Sequence, residues 1–314
     1  MKIMVTGCAG FIGSWISQKA INLGHQVVGI DNLSSGVNYT PNGVDFYIKD
    51  VNSDLSEQMS GVDAIVHCSA YAQLKDNWKD QSERKRLFNN NELATISILE
   101  QMPAVPLVFM SSASVYGSLY QIKNDIILEE DSNTYTIESP YAASKFACES
   151  YISAWGFKNN FPWYSLRLVN QIGARTHRGV MVDFCKKVKD CGHIHALDDG
   201  SQKKSWVAVD DTVDVVMTLL DKSKNIPSGV YNVTSSERWG WRDMVEIMKS
   251  MHKENFPNSD EPFTLSYEKC IKGSVGDPVN VYVSSEKLDK YYKCNRPIDK
   301  AVRETLSFIG WAKK

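Results

Sequence analysis

The sequence predicts an α/β fold: a doubly wound parallel sheet with a smaller mixed α/β lobe. Three observations carry that expectation. Short runs rich in Val and Ile alternate with longer helical stretches. The runs are almost continuously apolar, as strands buried on both faces must be. Three glycines, Gly7, Gly10 and Gly13, stand where the first run gives way to the first helix.

Each element follows in order. Residues 3–5 form the first strand, which stops at Thr6 and Gly7. Beyond Gly10, Ile12, Ile16 and Ala20 recur at i, i+4 spacing, and Gly24 supplies a C-cap. Residues 27–30, 46–48 and 64–67 are the next three strands. A helix over 87–101 stops before Pro103, which cannot continue it. Residues 107–110 return to strand, Ser139-Pro140 opens a helix that runs through Tyr151, and residues 163–168 are strand again. Such alternation implies right-handed crossovers. After about Asn170 the pattern loosens. Loop formers such as Asp198-Asp199-Gly200-Ser201 intervene, residues 230–233 give one more strand, and 243–252 a helix.

Composition limits the function. The chain has 314 residues, 35 Lys plus Arg against 37 Asp plus Glu, so its net charge of −2 gives no basic field for a nucleic acid. No apolar stretch approaches the roughly 20 residues of a membrane span. The apolar run at the start ends at Thr6, too soon for an export signal, and the seven cysteines are an odd, dispersed set. Both features point to free thiols in a reducing cytoplasm.

Gly7-x-x-Gly10-x-x-Gly13 sits strand–turn–helix. Glycines there let backbone N–H groups approach a pyrophosphate, and the helix start adds partial positive charge. The spacing departs from G-x-G-x-x-G, but Asp31 ends the second strand about 20 residues on, where an acid hydrogen-bonds an adenosine ribose. Asp31 also selects. A carboxylate repels a 2′-phosphate, and neither Asn32 nor Cys8 neutralises one, which favours NAD over NADP. Asp50-Val51 either frames the adenine or is a solvated strand end.

Tyr141-Ala-Ala-Ser-Lys145 puts a phenol and an ammonium on one helix face. A phenol of pKa about 10 is a poor base near neutrality, and a nearby cation favours its phenolate. Tyr71 and Lys75 share that spacing, so the pair alone is not specific. Ser112, at the carboxyl end of a buried strand, supplies the missing partner: its hydroxyl can bond a substrate hydroxyl and relay a proton to Tyr141. Ser111 and Ser114 compete for that role.

The chain resembles the extended short-chain dehydrogenase/reductase family, in its NAD-dependent sugar-nucleotide epimerase/dehydratase branch. The resemblance rests on Thr6-Gly-Cys-Ala-Gly-Phe-Ile-Gly13, Asp31-Asn-Leu-Ser-Ser-Gly36, His67-Cys-Ser-Ala70, Asn91-Glu-Leu-Ala-Thr95, Ser111-Ser-Ala-Ser-Val-Tyr-Gly117, Pro140-Tyr-Ala-Ala-Ser-Lys145, Arg167-Leu-Val-Asn170, the run from Gly200 to Asp211, and Tyr231-Asn-Val233. These pieces run in the family's order over nearly the whole chain. The resemblance implies a Rossmann-like NAD-binding domain at 1–169 plus about 206–234. It implies a sugar-nucleotide lobe at 170–205 and 235–314. It places Gly7, Gly10, Phe11, Ile12 and Gly13 on the pyrophosphate, Asp31, Asn32 and Ser35 on the adenosine, and Asn91 near the cofactor. Ser112, Tyr141 and Lys145 fall on the catalytic trio, with Tyr141 and Lys145 also touching NAD. Ser112, Ala113, Tyr141 and Asn170 would meet the substrate, and Lys204 would meet its diphosphate in place of an arginine. A homodimer through the helices near 87–101 and 141–156 is implied too.

Within that branch, elimination needs an acid to protonate a leaving hydroxyl. The slots that carry it hold Ser112, Ala113 and Ser114, so reversible oxidation remains. The expected activity is 4-epimerisation. Tyr141 takes the O4 proton while hydride leaves C4 for NAD⁺, the 4-keto sugar turns over, and hydride returns to its other face. UDP-glucose and UDP-galactose are the expected substrates, with UDP-GlcNAc or a UDP-uronate as alternatives. Lys204 makes a weaker diphosphate clamp than arginine. Ala208 and Leu168 replace family aromatics, the late Gly276-Asp277 lacks its usual preceding arginine, and Val281 falls near a sugar gatekeeper position. A bound nicotinamide dinucleotide without turnover is the opposing class, but such relatives lose the Tyr or the Lys. Cys185, Cys191, His193 and His195 cluster at C-x5-C-x-H-x-H, which fits no usual zinc site. His67 reads as structural, residues 287–300 as a solvated basic face, and Trp239 and Trp241 as packing of the second lobe.

Overall fold

The computed structural model describes residues 1–72, 80–121, 127–131, 137, 139–196, 200, 202–267 and 282–311, with the side chains of all of these except 118–121 and 127–128. Seven strands form one parallel sheet: β1 (Lys2–Thr6), β2 (Gln26–Asp31), β3 (Val44–Ile48), β4 (Ala64–His67), β5 (Leu107–Ser112), β6 (Trp163–Leu168) and β7 (Gly229–Val233). Their spatial order is β7-β6-β5-β4-β1-β2-β3, with every pairing parallel. The direction of winding reverses between β1 and β4. Their carboxyl ends therefore part to leave a crevice.

Side chains that alternate along the strands build two cores, one per face. Ile3 and Val5 of β1 point to one side with Val66, Val108 and Leu166. There they meet Ile16 and Ala20 of α1 (Phe11–Asn22) and Val213, Val216 and Leu220 of a later helix. Met4 points to the other side with Ile30, Ile65 and Phe109. That face is covered by α2 and α3 (Pro140–Asn159). α2 is one continuous run: an α-helical segment Gln81–Leu87, a π-helical segment Phe88–Leu93 and an α-helical segment Ala94–Gln101. It begins six residues before the sequence pattern suggests, because its first turns are charged and lie on the surface. Asp80 caps it by accepting from the Ser82 amide at 2.8 Å. The proline start of α3 is as expected, with the Ser139 hydroxyl accepting from the Ala142 amide at 3.1 Å.

Beyond β6 the chain forms α4 (Val180–Cys191), α5 (Val209–Asp221), α6 (Trp241–Asn255) and α7 (Ile298–Ile309). Periodicity points only to α6. α5 is buried along most of its length, including Val209, Val213, Val216 and Leu220. It is the helix that packs beside α1. The others form a separate core in which Met181, Phe184, Met244, Met248, Val302 and Leu306 meet, with Trp239 and Trp241 packed against it. Strand Lys204–Ala208 pairs with Asn170–Ile172 and Arg238–Trp239 to complete that lobe. The tail corrects one expectation. Residues 287–300 are not a solvated face: Leu288 and Ile298 are buried. Arg296 forks onto Asp211 at 2.6 Å and Asp214 at 2.5 Å, both on α5.

Candidate active site

The turn after β1 enters the crevice. Gly7 has φ +68°, and a Cβ there would lie 2.7 Å from the Ser69 amide nitrogen. A Cβ on Gly13 would lie 2.1 Å from the Gly7 carbonyl oxygen. Only glycine lets the turn nest this closely against β4 and against itself. Ser14 N then bonds Gly10 O at 3.1 Å, the first rung of α1, and Gly10 N is taken by Gly7 O at 3.1 Å, so the donors of the helix start are the amides of residues 11–13. Asp31, at the end of β2, accepts from the Ala9 amide at 3.1 Å and the Leu33 amide at 2.8 Å. Burial pushes its carboxyl above the usual range, and these two amides oppose the shift. A cavity of about 330 Å³ runs from this carboxylate past Gly10, Phe11 and Ile12 to Tyr141 and Lys145.

Asn32, Ser35 and Val51 line the Asp31 end of the cavity, with Ser34 and Lys49. Asp50 does not line it: its carboxylate accepts from Asn32 Nδ2 at 2.9 Å and from the Asn52 amide at 2.9 Å. Its place is behind the wall, holding Asn32. The Lys49 ammonium turns to the Asp54 carbonyl at 3.2 Å and the Gln58 amide oxygen at 3.0 Å, so it does not neutralise Asp31. A carboxylate beside bare helix amides, with an apolar wall at Val51, suits NAD: diol at Asp31, diphosphate at the helix start.

At the other end the three serines sort themselves. Ser112 is the side chain that opposes the upward shift of the Tyr141 phenol, although it does not itself line the cavity. Ser114 supports it, its hydroxyl donating to Ser112 Oγ at 2.9 Å. Ser111 lines the cavity, but its hydroxyl is taken, donating to Glu149 Oε1 at 2.5 Å. Lys145 is buried, with Nζ donating to the Met110 carbonyl at 2.8 Å and lying 4.6 Å from the Phe109 ring centre. Burial brings its pKa down to about 8, opposed by Cys148, Cys68 and Glu149. Its Nζ is 5.9 Å from the Tyr141 ring centre. Burial pushes the phenol up to about 12, with Ser112 opposing that shift. Desolvation dominates the phenol in this state, and the expected acidifying effect of Lys145 is not seen. Tyr71, the competing phenol, instead donates to Glu83 Oε2 at 2.7 Å, and Lys75 lies outside the described residues.

Buried networks hold this end in place. Glu149, one turn after Lys145 on α3, pairs with Arg167 of β6 through contacts of 2.9 and 3.1 Å. Arg167 also donates to the Glu130 carbonyl at 3.2 Å, and Glu130 Oε1 accepts from the Asn232 amide on β7 at 2.8 Å. Asn232 Oδ1 in turn accepts from the Tyr116 hydroxyl at 2.7 Å. Asn91 is buried and does not line the cavity. Its side chain brackets the Tyr71 backbone at 2.7 and 3.1 Å and donates to Ser144 Oγ at 2.9 Å. His67 is buried between Thr6 Oγ1 at 2.7 Å and Thr95 Oγ1 at 3.1 Å. Thr95 Oγ1 donates to the Asn91 carbonyl at 2.8 Å, so it must accept from His67 Nε2. Desolvation, aided by Lys145, holds the imidazole neutral, at about 3.

The remaining expected residues lie apart. Ala113 is buried behind Ser112 and does not line the cavity. Asn170 Nδ2 donates to the Ser205 carbonyl at 3.1 Å. Lys204 begins the neighbouring strand, and neither it nor Asn170 lines the cavity. Leu168 does line it. Val281 and Gly276-Asp277 fall outside the described residues. Cys185 is buried in the second core whereas Cys191 is exposed, and His193 Nε2 and His195 Nδ1 share Ser266 Oγ at 2.7 and 3.0 Å. The cavity also gathers residues the motifs did not suggest: Arg86 and Asn90 of α2, and Thr176, His177 and Arg178 of the loop before α4. Their distance in sequence from the glycine turn hides them. Arg86 and Asn90 do share the i, i+4 spacing of one helix face.

A family model described as the NAD dependent epimerase/dehydratase family matches residues 3–234. A UDP-glucose 4-epimerase of Streptococcus mutans is 26% identical over 343 residues, covering 99% of this chain and 96% of its own length. A crystal structure of a UDP-galactose 4-epimerase superposes with TM-score 0.79 at 26% identity, covering 99% of both chains. A UDP-N-acetylglucosamine 4-epimerase from Methanobrevibacter ruminantium, solved with UDP-N-acetylmuramic acid, gives TM-score 0.81 at 25% identity, covering 98% of this chain and 97% of that one.

Proposed function

The chain belongs to the NAD-dependent epimerase/dehydratase family, and from that membership we propose that it inverts C4 of a UDP-linked hexose, UDP-glucose and UDP-galactose first. It is an isomerase that uses NAD as a resident cofactor. UDP-GlcNAc and UDP-uronates are the second reading, favoured by relatives of similar likeness that carry those names. The observation that carries the proposal is one cavity lined by Tyr141, Lys145, Asp31 and the glycine turn, with Ser112 acting on the Tyr141 phenol from beside it.

Gly10, Phe11, Ile12 and Gly13 are assigned to the cofactor's diphosphate, Asp31, Asn32 and Ser35 to its adenosine, and Tyr141 and Lys145 to its nicotinamide half. When bound, NAD supplies the acceptor and then the donor for the C4 hydride. The chain supplies the proton path. Ser112 bonds the sugar hydroxyl and passes its proton to Tyr141, then the reverse. A phenol pushed to about 12 becomes a strong base once it loses its proton, and the buried Lys145 charge offsets the cost of that phenolate. No carboxylate occupies positions 112–114, which disfavours loss of a hydroxyl as water.

The same reading assigns residues 1–169 and 206–234 to NAD and 170–205 and 235–314 to the UDP-sugar, with Asn170 and Lys204 as substrate contacts. The second core, which joins α4, α6 and α7, supports that division, while Val283, Leu288 and Cys294 pack into the core of the sheet. It also pairs two copies through α2 and α3, where Phe88, Leu93, Tyr151 and Phe157 are exposed. The reaction is tested with a panel of UDP-glucose, UDP-galactose, UDP-GlcNAc and UDP-glucuronate. Tyr141→Phe should lower epimerisation about 1000-fold. Near-wild-type rates in that variant would reject the assignment, and NADH accumulating in proportion to substrate would make the protein a dehydrogenase instead.

A further inference from the structure

The middle of the cavity is walled by two arginines that the reaction leaves unused. Arg86 of α2 lies with its guanidinium carbon 4.2 Å above the Tyr71 ring centre. Arg178, from the loop between Ile172 and α4, donates from Nη1 to the Ala72 carbonyl at 3.1 Å, spanning the crevice from the second lobe to the loop after β4. Tyr71, Ala72, Arg86 and Arg178 line the same cavity as Gly10, Phe11 and Ile12. Neither guanidinium forms a salt bridge among the described residues. Glu83, the carboxylate of this cluster, is taken by the Tyr71 hydroxyl at 2.7 Å. Both cations act on Tyr71, lowering its pKa against burial and Glu83, so the two charges converge on one spot.

Two like charges at one cavity wall, beside the single carboxylate of Glu83 and without a salt bridge of their own among the described residues, favour an anion. The α1 N-terminus lines the same cavity. We propose that Arg86 and Arg178 close over the diphosphate of the bound dinucleotide, with Tyr71 as the platform for Arg86 and the Ala72 carbonyl as the latch for Arg178. This rests on the assignment of the cavity to NAD. The diphosphate then lies between helix amides on one side and two guanidinium forks on the other. A cation that comes from the second lobe makes release of the cofactor wait for that latch to open. Slow release suits an enzyme that regenerates its cofactor in every cycle.

The experiment reads cofactor binding rather than turnover. Full-length protein is loaded with NADH, and its fluorescence is followed while excess ADP-ribose displaces it. Equilibrium titrations with ADP-ribose and with adenosine, at low and high salt, run alongside. Arg86→Ala and Arg178→Ala should each speed NADH release and weaken ADP-ribose about tenfold, with a flatter salt dependence. Adenosine, which lacks the diphosphate, should bind all variants alike, and Arg178→Lys should recover part of the loss. Unchanged ADP-ribose binding in both alanine variants would overturn the proposal. So would an equal loss of adenosine binding, which would mark a distorted pocket. Wild-type protein that takes up neither NADH nor ADP-ribose would sink the cofactor assignment itself, whereas a tight NADH complex that turns over no UDP-sugar would leave this pair standing and refute only the epimerase reading.

Discussion

Lys145 is the residue whose ionisation matters most near neutral pH. Its pKa falls to about 8 because it is buried, whereas unfolded lysine titrates near 10.5. The folded state thus binds fewer protons than the unfolded state between those two values. Stability should rise with pH across that window, and the cost of burying the ammonium is fully present below it. Activity should respond in the opposite sense, since a neutral amine no longer favours the Tyr141 phenolate. The epimerisation rate should fall with a single-proton limb above about pH 8. Lys145→Arg, which keeps its charge, should turn over more slowly but without that limb. A rate profile flat through pH 9 would remove Lys145 from this role. At this scale much was legible. The glycine turn, Asp31 and the Tyr141–Lys145 pair stand out because one backbone geometry or one helix face demands them. The choice of Ser112 over Ser111 was not legible, since it depends on which hydroxyl Glu149 takes.

Among the elements, α3 does two jobs through residues one turn apart. Lys145 faces the cavity, and Glu149 reaches under it to Arg167 and Ser111. The Glu149–Arg167 pair is nearly sealed from water, with 5% exposure on each side chain. Breaking one partner of such a pair leaves the other charge stranded. Glu149→Met should therefore lower stability by about 3–5 kcal/mol in chemical denaturation, and pairing it with Arg167→Met should restore much of the loss. Additive losses in the double variant would show that the two residues act independently. The seven sheet strands were readable because each is a short, mainly apolar run between turn formers, even where Asp45, Arg167 or Asn232 interrupts it. α2 was readable only from Leu87 onward. Its π-helical stretch inserts extra backbone at Asn91, which turns that amide toward Tyr71 and Ser144, and no periodicity announces such a stretch.

The whole molecule depends on ties between regions distant in sequence. Arg296 joins the end of the second lobe to α5, and Arg178 joins its beginning to the loop after β4. Neither tie follows from local pattern, which is why the tail read as solvated. Pairing of two copies belongs to this scale as well. Ala143, Ala147 and Ala154 on α3, with Tyr151 and Leu93, present a surface of small and apolar side chains. Sedimentation should give twice the chain mass, and Leu93→Glu should reduce it to one. A wild-type monomer would end the dimer proposal. The late position of β7 carries a last consequence. This edge strand adds to the sheet only after an excursion of some sixty residues beyond β6, and it carries the asparagine that anchors Tyr116 and Glu130. During synthesis on the ribosome the glycine turn can therefore assemble early, while the serine segment stays unanchored until residue 233 has emerged. The nascent protein gains its cofactor pocket well before it gains a chemically competent one.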